Sequence, residues 1–112
     1  ANIIVDEDKF VGVIVNLIKN ATEAIPEKGK ITIKTTEGEK EVSVFVNNTG
    51  GLTIEEARRA KIFEEGFSTK EKGSGLGLYI SKKTMEEQFG ELRLRHSDET
   101  STEFEIEIPK AE

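Results

Sequence analysis

The chemistry open to this sequence is concentrated in four short polar stretches. Asn16-Leu17-Ile18-Lys19-Asn20-Ala21 sets two asparagines four residues apart, so a helix would carry both on one face with Glu23 alongside. At about 100° per residue, that stripe borders the apolar face instead of opposing it. Carboxamide oxygens are hard ligands that suit Mg²⁺, which takes few protein ligands and completes its shell with waters and phosphate oxygens. Two solvated asparagines are the plainer reading. Asparagine is a mediocre helix former, however, and a pair beside a core stripe needs a reason. Gly73-Ser74-Gly75-Leu76-Gly77-Leu78 opens a second helical pattern. Its glycines let the backbone approach a phosphate, and a helix N-terminus adds N–H donors and dipole. It is no Walker loop, and a polar stretch precedes it where a dinucleotide-binding fold needs a strand; a flexible hinge fits it equally well. Asn47-Asn48-Thr49-Gly50-Gly51 follows a valine-rich run and by itself reads as a strand-ending turn. Phe63-Glu64-Glu65-Gly66-Phe67-Ser68-Thr69-Lys70 places two phenylalanines in polar surroundings, as core plugs or docking groups, with Lys70 able to reach a terminal phosphate. A polar helix face, a polar turn and a glycine loop with its connector together describe a nucleotide pocket.

Regular elements must position these stretches. Phe10, Val13, Ile14, Leu17, Ala21, Ala24 and Ile25 recur at helical spacing. Carboxylates at Asp6, Glu7 and Asp8 suit the helix start, and Pro26 and Gly29 stop it. The helix is therefore expected over about 6–25. Ile31 and Ile33, then Val42, Val44 and Val46, alternate with polar neighbours around Glu37-Gly38-Glu39, the pattern of a hairpin. A short helix is expected over about 54–63, and a polar, glycine-rich connector over 64–75. A second long helix follows from about Leu76 to Phe89, then strands over about 91–95 and 102–108. With Ile3-Ile4-Val5 as a first strand, the order predicts a two-layer α+β fold, in which helices cover one face of a mixed sheet.

Composition removes most other chemistries. The chain has 112 residues, room for one domain, and 1–112 is treated as a single unit. Its hydrophobic content is 35% and its charged content 34%, but the apolar residues are too strongly patterned for disorder. No apolar run is long enough to span a membrane, and no leader resembling a signal peptide opens the sequence. The absence of cysteine excludes disulfides and thiolate chemistry, and a single histidine leaves little for a zinc site or a serine triad. His96, followed by Ser-Asp-Glu, reads as a surface residue. Sixteen basic against twenty-two acidic residues give a net charge of −6, which disfavours nucleic acid. The opening on Ala1, already in a strand pattern, is expected of a piece excised from a longer protein, and an intracellular origin is expected.

In this order and spacing, the four stretches resemble the catalytic, ATP-binding domain of sensor histidine kinases, within the ATPase superfamily shared with gyrase B, MutL proteins and heat-shock chaperones. The resemblance runs from about Asp6 to Pro109. Asn16 to Ala21 resembles the N box, Asn48-Thr49-Gly50 the G1 box, Phe63 to Lys70 the F box and Gly73 to Leu78 the G2 box; Ser101-Thr102-Glu103-Phe104 resembles the final strand motif. It implies a mixed sheet of roughly five strands under about three helices. By resemblance, Asn20 ligates the Mg²⁺ that bridges the phosphates and Asn16 supports the phosphate end. Gly73, Gly75, Leu76 and Gly77 form the phosphate loop, with the amides of Gly75 and Gly77 as the cradle. Lys70 belongs to the ATP lid spanning about 51–74, and Asn48, Gly50 and Thr102 stand on the adenine side, Thr102 through water. The implied ligands are ATP, ADP and Mg²⁺. The implied partners are the dimerisation and histidine phosphotransfer domain of the same kinase and a response-regulator receiver domain. The fragment is expected to be a cytoplasmic monomer without membrane contact of its own; a membrane anchor elsewhere in a full-length kinase stays open. A serine kinase of the anti-sigma-factor type is a rival, disfavoured by Phe67-Ser68-Thr69-Lys70. A degenerate docking module is another.

Three departures from the family pattern bear on function. Asn48 stands where the G1 box usually has aspartate. An amide oxygen still accepts a hydrogen bond from the adenine amino group, but loss of the ionised acceptor costs about 1 kcal/mol, and an amide also suits guanine. Weaker ATP/GTP discrimination is expected. The usual Gly-x-Gly appears as Gly50-Gly51-Leu52, one residue short or rearranged. Gly12 stands four residues before Asn16, where many relatives carry Glu, Gln or His, so rapid ATP hydrolysis is not expected. By the resemblance, the phosphoacceptor histidine is expected on a separate domain outside this sequence, and His96 is not expected to replace it.

Overall fold

Alternating and helical hydrophobic patterns settle into seven elements in the computed structural model, which describes residues 5–25, 27–51, 53–65 and 77–110. In chain order these are α1 (Glu7–Ala24), β1 (Ile31–Glu37), β2 (Glu41–Thr49), α2 (Glu56–Arg59), α3 (Gly77–Glu87), β3 (Glu91–Ser97) and β4 (Ser101–Pro109). The start of α1 is fixed by Asp6, whose carboxylate accepts from the Lys9 amide at 3.1 Å, the side-chain cap that satisfies an otherwise orphan donor. Among the described residues, no helix is long and apolar enough to cross a membrane.

The strands form one sheet in the order β1-β2-β4-β3, each neighbouring pair antiparallel. The α+β class is as expected, but the mixed sheet of roughly five strands is, among the described residues, an antiparallel sheet of four. The expected Ile3-Ile4-Val5 strand lies largely outside them; Val5 is described and packs against the core. The helix expected over 54–63 is only the single turn Glu56–Arg59. The segment is drawn into bonds with the sheet: the Ile54 amide donates to Ser97 Oγ at 2.8 Å and the Arg59 guanidinium to the Ser97 carbonyl, while the Arg59 Nε–H donates to the Ile54 carbonyl at 3.2 Å.

Cross-strand register stacks the core in rungs. Val46, Phe104 and Leu94 form one and Val44, Ile106 and Leu92 the next, with the exposed Ile33 and Thr35 opposite them on the edge strand β1. Val13 and Leu17 of α1, and Met85 of α3, close over them as part of one buried cluster. The two helices run past each other, with Asn16 meeting Gly77 and Ser81, and the Asp6 amide donating to Gln88 Oε1. On the opposite sheet face, Arg93 bonds Glu107 at 2.7 Å, Glu105 at 2.9 Å and Glu91 at 3.0 Å. These carboxylates raise its pKa further, chiefly through the hydrogen bonds to Glu107 and Glu91, and hold the uncovered face polar. After α3, Phe89 adopts a left-handed φ of 64° with its side chain exposed, and the Gly90 amide returns to the Met85 carbonyl at 2.8 Å.

Candidate functional site

The apolar rungs end in a polar one. Register places Ile31 opposite Asn48, Asn48 opposite Thr102 and Thr102 opposite Ser97. The three polar members are 4%, 6% and 2% exposed respectively. Buried polar groups need partners, and here the outcome is uneven. Ser97 Oγ and Thr102 Oγ1 lie 2.7 Å apart. Ser97 Oγ also accepts from the Ile54 amide, and its carbonyl accepts from the Arg59 guanidinium. Asn48 differs: its Nδ2 is buried with no hydrogen-bond partner among the described residues. The chain turns closely around it, since a Cβ on Gly51 would sit 2.5 Å from that nitrogen. The turn itself depends on Gly50, whose φ of 72° is a conformation that L side chains rarely adopt.

A second junction joins the helices. Asn16 donates both amide hydrogens to α3, one to the Gly77 carbonyl at 2.6 Å and one to Ser81 Oγ at 2.7 Å. Gly77 permits this approach, because a Cβ there would stand 2.9 Å from Asn16 Oδ1. Asn16 therefore fixes the first turn of α3 against α1, and any metal contact it makes falls to its carbonyl oxygen. Asn20 follows one helical turn further on, half-buried. Gly12 precedes Asn16 by one turn on the same stripe, and a Cβ on it would meet nothing within 4 Å.

The structure thus brings Asn48 beside Thr102, with Gly50 in the turn that follows, and Asn16 beside Gly77. Lys70, Gly73, Gly75 and Leu76 lie outside the described residues. Among those described, no cluster of three or more His, Cys, Asp or Glu side chains could hold a metal. A magnesium site here would rest on the α1 carboxamides and on phosphate oxygens, which suits an ion that needs few protein ligands. A buried, unpaired N–H beside buried hydroxyls fits the polar edge of a heteroaromatic base.

Sequence reading missed Ser81, Ser97 and Arg59. Strict alternation from Leu92 and Leu94 would turn His96 inward, but a register shift between Leu94 and His96 pairs His96 with Glu103 and Ser97 with Thr102. His96 faces outward, 42% exposed and 3.7 Å from Glu103, while Ser97 enters the polar rung. Asp98 holds the turn beyond it, accepting from the Ser101 amide at 3.0 Å and the Thr100 amide at 2.8 Å. These bonds lower its pKa, the Ser101 bond most. Ser81 did leave a signal: it stands four residues after Gly77, so two small residues share the helix face that meets Asn16.

The chain is similar in sequence and in fold to proteins of a known family. Residues 5–112 match the family model described as histidine kinase-, DNA gyrase B- and HSP90-like ATPase. Over 105 residues, the chain is 38% identical to sporulation kinase A of Bacillus subtilis, covering 94% of this chain and 17% of that protein. It is 33% identical over 118 residues to the sensor histidine kinase DpiB of Escherichia coli, covering 94% of this chain and 20% of the relative. Among solved structures, the catalytic domain of the histidine kinase ThkA superposes with a TM-score of 0.84 at 37% identity, covering 95% of this chain and 70% of that one. The mycobacterial sensor histidine kinase MprB gives a TM-score of 0.85 at 25% identity, covering 96% of this chain and 74% of that one.

Proposed function

Because the chain belongs to the histidine kinase-, DNA gyrase B- and HSP90-like ATPase family, as an ATP-binding catalytic domain of the histidine kinase kind, we propose that it binds Mg-ATP and donates the γ-phosphoryl group to a histidine on a separate dimerisation and phosphoacceptor domain. The observation that carries this reading is the polar rung of Asn48, Thr102 and Ser97, with the Asn48 Nδ2 buried and unpaired. That group is a donor in want of an acceptor, and a purine edge supplies one.

Phosphoryl transfer depends on positioning and charge neutralisation more than on covalent work by the protein. Asn48 and Thr102 orient the base. Asn16 holds the first turn of α3 in place, so the helix N-terminus presents its first-turn amides, that of Gly77 included, to the phosphates. Asn20 offers its carboxamide oxygen to Mg²⁺, which when bound neutralises phosphate charge. Lys70, Gly73, Gly75 and Leu76 complete the phosphate end, with Gly50 in the turn on the base side. With glycine at position 12, no carboxylate stands one turn before Asn16 to activate water, which favours transfer over hydrolysis. The acceptor histidine and its base come from the partner domain, and the product phosphohistidine serves a response-regulator receiver domain. The working compartment is the cytoplasm.

Calorimetric titration with a non-hydrolysable ATP analogue and with ADP, each with and without Mg²⁺, tests the binding step. Micromolar, Mg²⁺-sensitive binding is expected, and no binding up to millimolar nucleotide refutes it. Transfer is tested by supplying a histidine-bearing helical hairpin from a relative with labelled ATP; acid-labile label on its histidine is expected, and label on serine would favour the anti-sigma-factor type of kinase.

A further inference from the structure

The joint between α1 and α3 fixes which end of the Asn16 amide faces the second helix. Asn16 Nδ2 lies 2.6 Å from the Gly77 carbonyl, which can only accept, and 2.7 Å from Ser81 Oγ. A flipped amide would set two acceptor oxygens against each other at Gly77. An amide nitrogen does not accept, so Ser81 takes the second hydrogen whichever way its own proton turns. At 3% exposure the Ser81 hydroxyl is shut into the joint. A Cβ on Gly77 would stand 2.9 Å from Asn16 Oδ1, so the amide oxygen lies beside the first residue of α3. With both hydrogens engaged, Asn16 meets a ligand only as an acceptor. Phosphate oxygens are acceptors too, so a cation or a water bound to it must stand between the two.

We propose that Ser81 is a positioning residue for the Asn16 oxygen. The bond to Gly77 alone leaves the amide free to swing, and the second bond, to Ser81, sets its plane. Asn16 then acts on the phosphates through Mg²⁺ or a Mg²⁺-bound water, and Ser81 contributes to nucleotide affinity only when the metal is there. This rests on the nucleotide-binding reading and adds to it a residue of α3 that touches neither nucleotide nor metal.

Calorimetric affinities for ADP, with saturating Mg²⁺ and with EDTA, test the assignment in the wild type, Ser81→Ala, Asn16→Ala and the double variant. The wild type should bind ADP more tightly with Mg²⁺. Ser81→Ala should lower that enhancement about 5-fold, the scale of one hydrogen bond, and change the affinity in EDTA by less than about 2-fold. In the Asn16→Ala background the Ser81 substitution should lower the enhancement no further. A merely structural Ser81 would weaken ADP by one common factor with and without the metal, which overturns the proposal. So does a Ser81 effect on the enhancement that is equal in both backgrounds, or a wild type that binds ADP alike with Mg²⁺ and with EDTA. If Ser81→Ala does not fold, Ser81→Cys keeps the bulk with a weak acceptor and should show the same drop. Failure of the wild type to bind ADP at all would instead refute the nucleotide reading itself.

Discussion

Replacing Asn48 by aspartate tests how this pocket reads a base. The side chain is 4% exposed and its Nδ2 has no partner, so the wild-type pocket offers a ligand one unpaired donor and an amide oxygen. Asn48→Asp converts the donor end to an acceptor without changing bulk. Toward adenine, the ionised acceptor strengthens the bond from the exocyclic amino group by about 1 kcal/mol, but the Nδ2–H bond to a ring nitrogen is lost at a similar cost, so ATP affinity should change by less than about 3-fold. Toward guanine, whose carbonyl and ring N–H suit an amide, the carboxylate faces an acceptor. Loss of that bond costs about another 1 kcal/mol. The ratio of Kd for GTP to Kd for ATP should therefore rise by about 5-fold. Competition calorimetry with non-hydrolysable analogues of both nucleotides reads the ratio, and thermal unfolding confirms that the variant is folded. An unchanged ratio in a folded variant would remove Asn48 from base recognition and leave its unpaired nitrogen as a packing defect.

Three further outcomes follow from the geometry. Asn16→Ala removes two hydrogen bonds to α3 and leaves the Gly77 carbonyl and Ser81 without that partner, so chemical denaturation should show a loss of about 1–3 kcal/mol; a smaller loss would mean that α3 is held without this clasp. Phe89→Gly should stabilise by about 0.5–1 kcal/mol, because a left-handed φ of 64° on an exposed phenylalanine costs more than the added freedom of glycine in the unfolded chain; destabilisation would show that Phe89 contributes packing. Asp98 has a lowered folded-state pKa, chiefly through its bond from the Ser101 amide, so its stabilisation is present above the ordinary carboxylate pKa and is lost as pH falls through the lower folded value. The melting temperature of Asp98→Asn should accordingly lose less than that of the wild type between neutral and strongly acidic pH, and parallel profiles would contradict this.

Much of this architecture was legible in the sequence because its signals are periodic. The α1 face of Val13, Leu17 and Ala21 is buried as its spacing requires, and Phe104, Ile106 and Ile108 share the inner face of β4. The pairing of Asn48 with Thr102 followed from family motifs, not from periodicity. The missed features depend on single-residue events that periodicity averages away. One bulge after Leu94 turns Ser97 inward and His96 outward, and no local composition announces it. The run over 54–63 has helical spacing, yet it forms one turn because Ile54 and Arg59 bond to the sheet instead. A tertiary partner more than thirty residues away decided that segment, and propensity has no access to it.

The two asparagines in question also looked alike in sequence, as short amides near a glycine, and the structure separates them by what their hydrogens do. Both Asn16 hydrogens are spent on α3, at 2.6 and 2.7 Å. Neither hydrogen of Asn48 has a partner among the described residues. An unmade buried hydrogen bond costs more than a made one contributes, so the unspent amide is the more informative: within the free domain it is a liability, and a ligand acceptor would turn it into affinity. On that reasoning Asn16 governs the geometry of the phosphate end and Asn48 the identity of the base. Their substitutions should then separate in assay, Asn16 changing affinity for all nucleotides together and Asn48 changing the ratio among them.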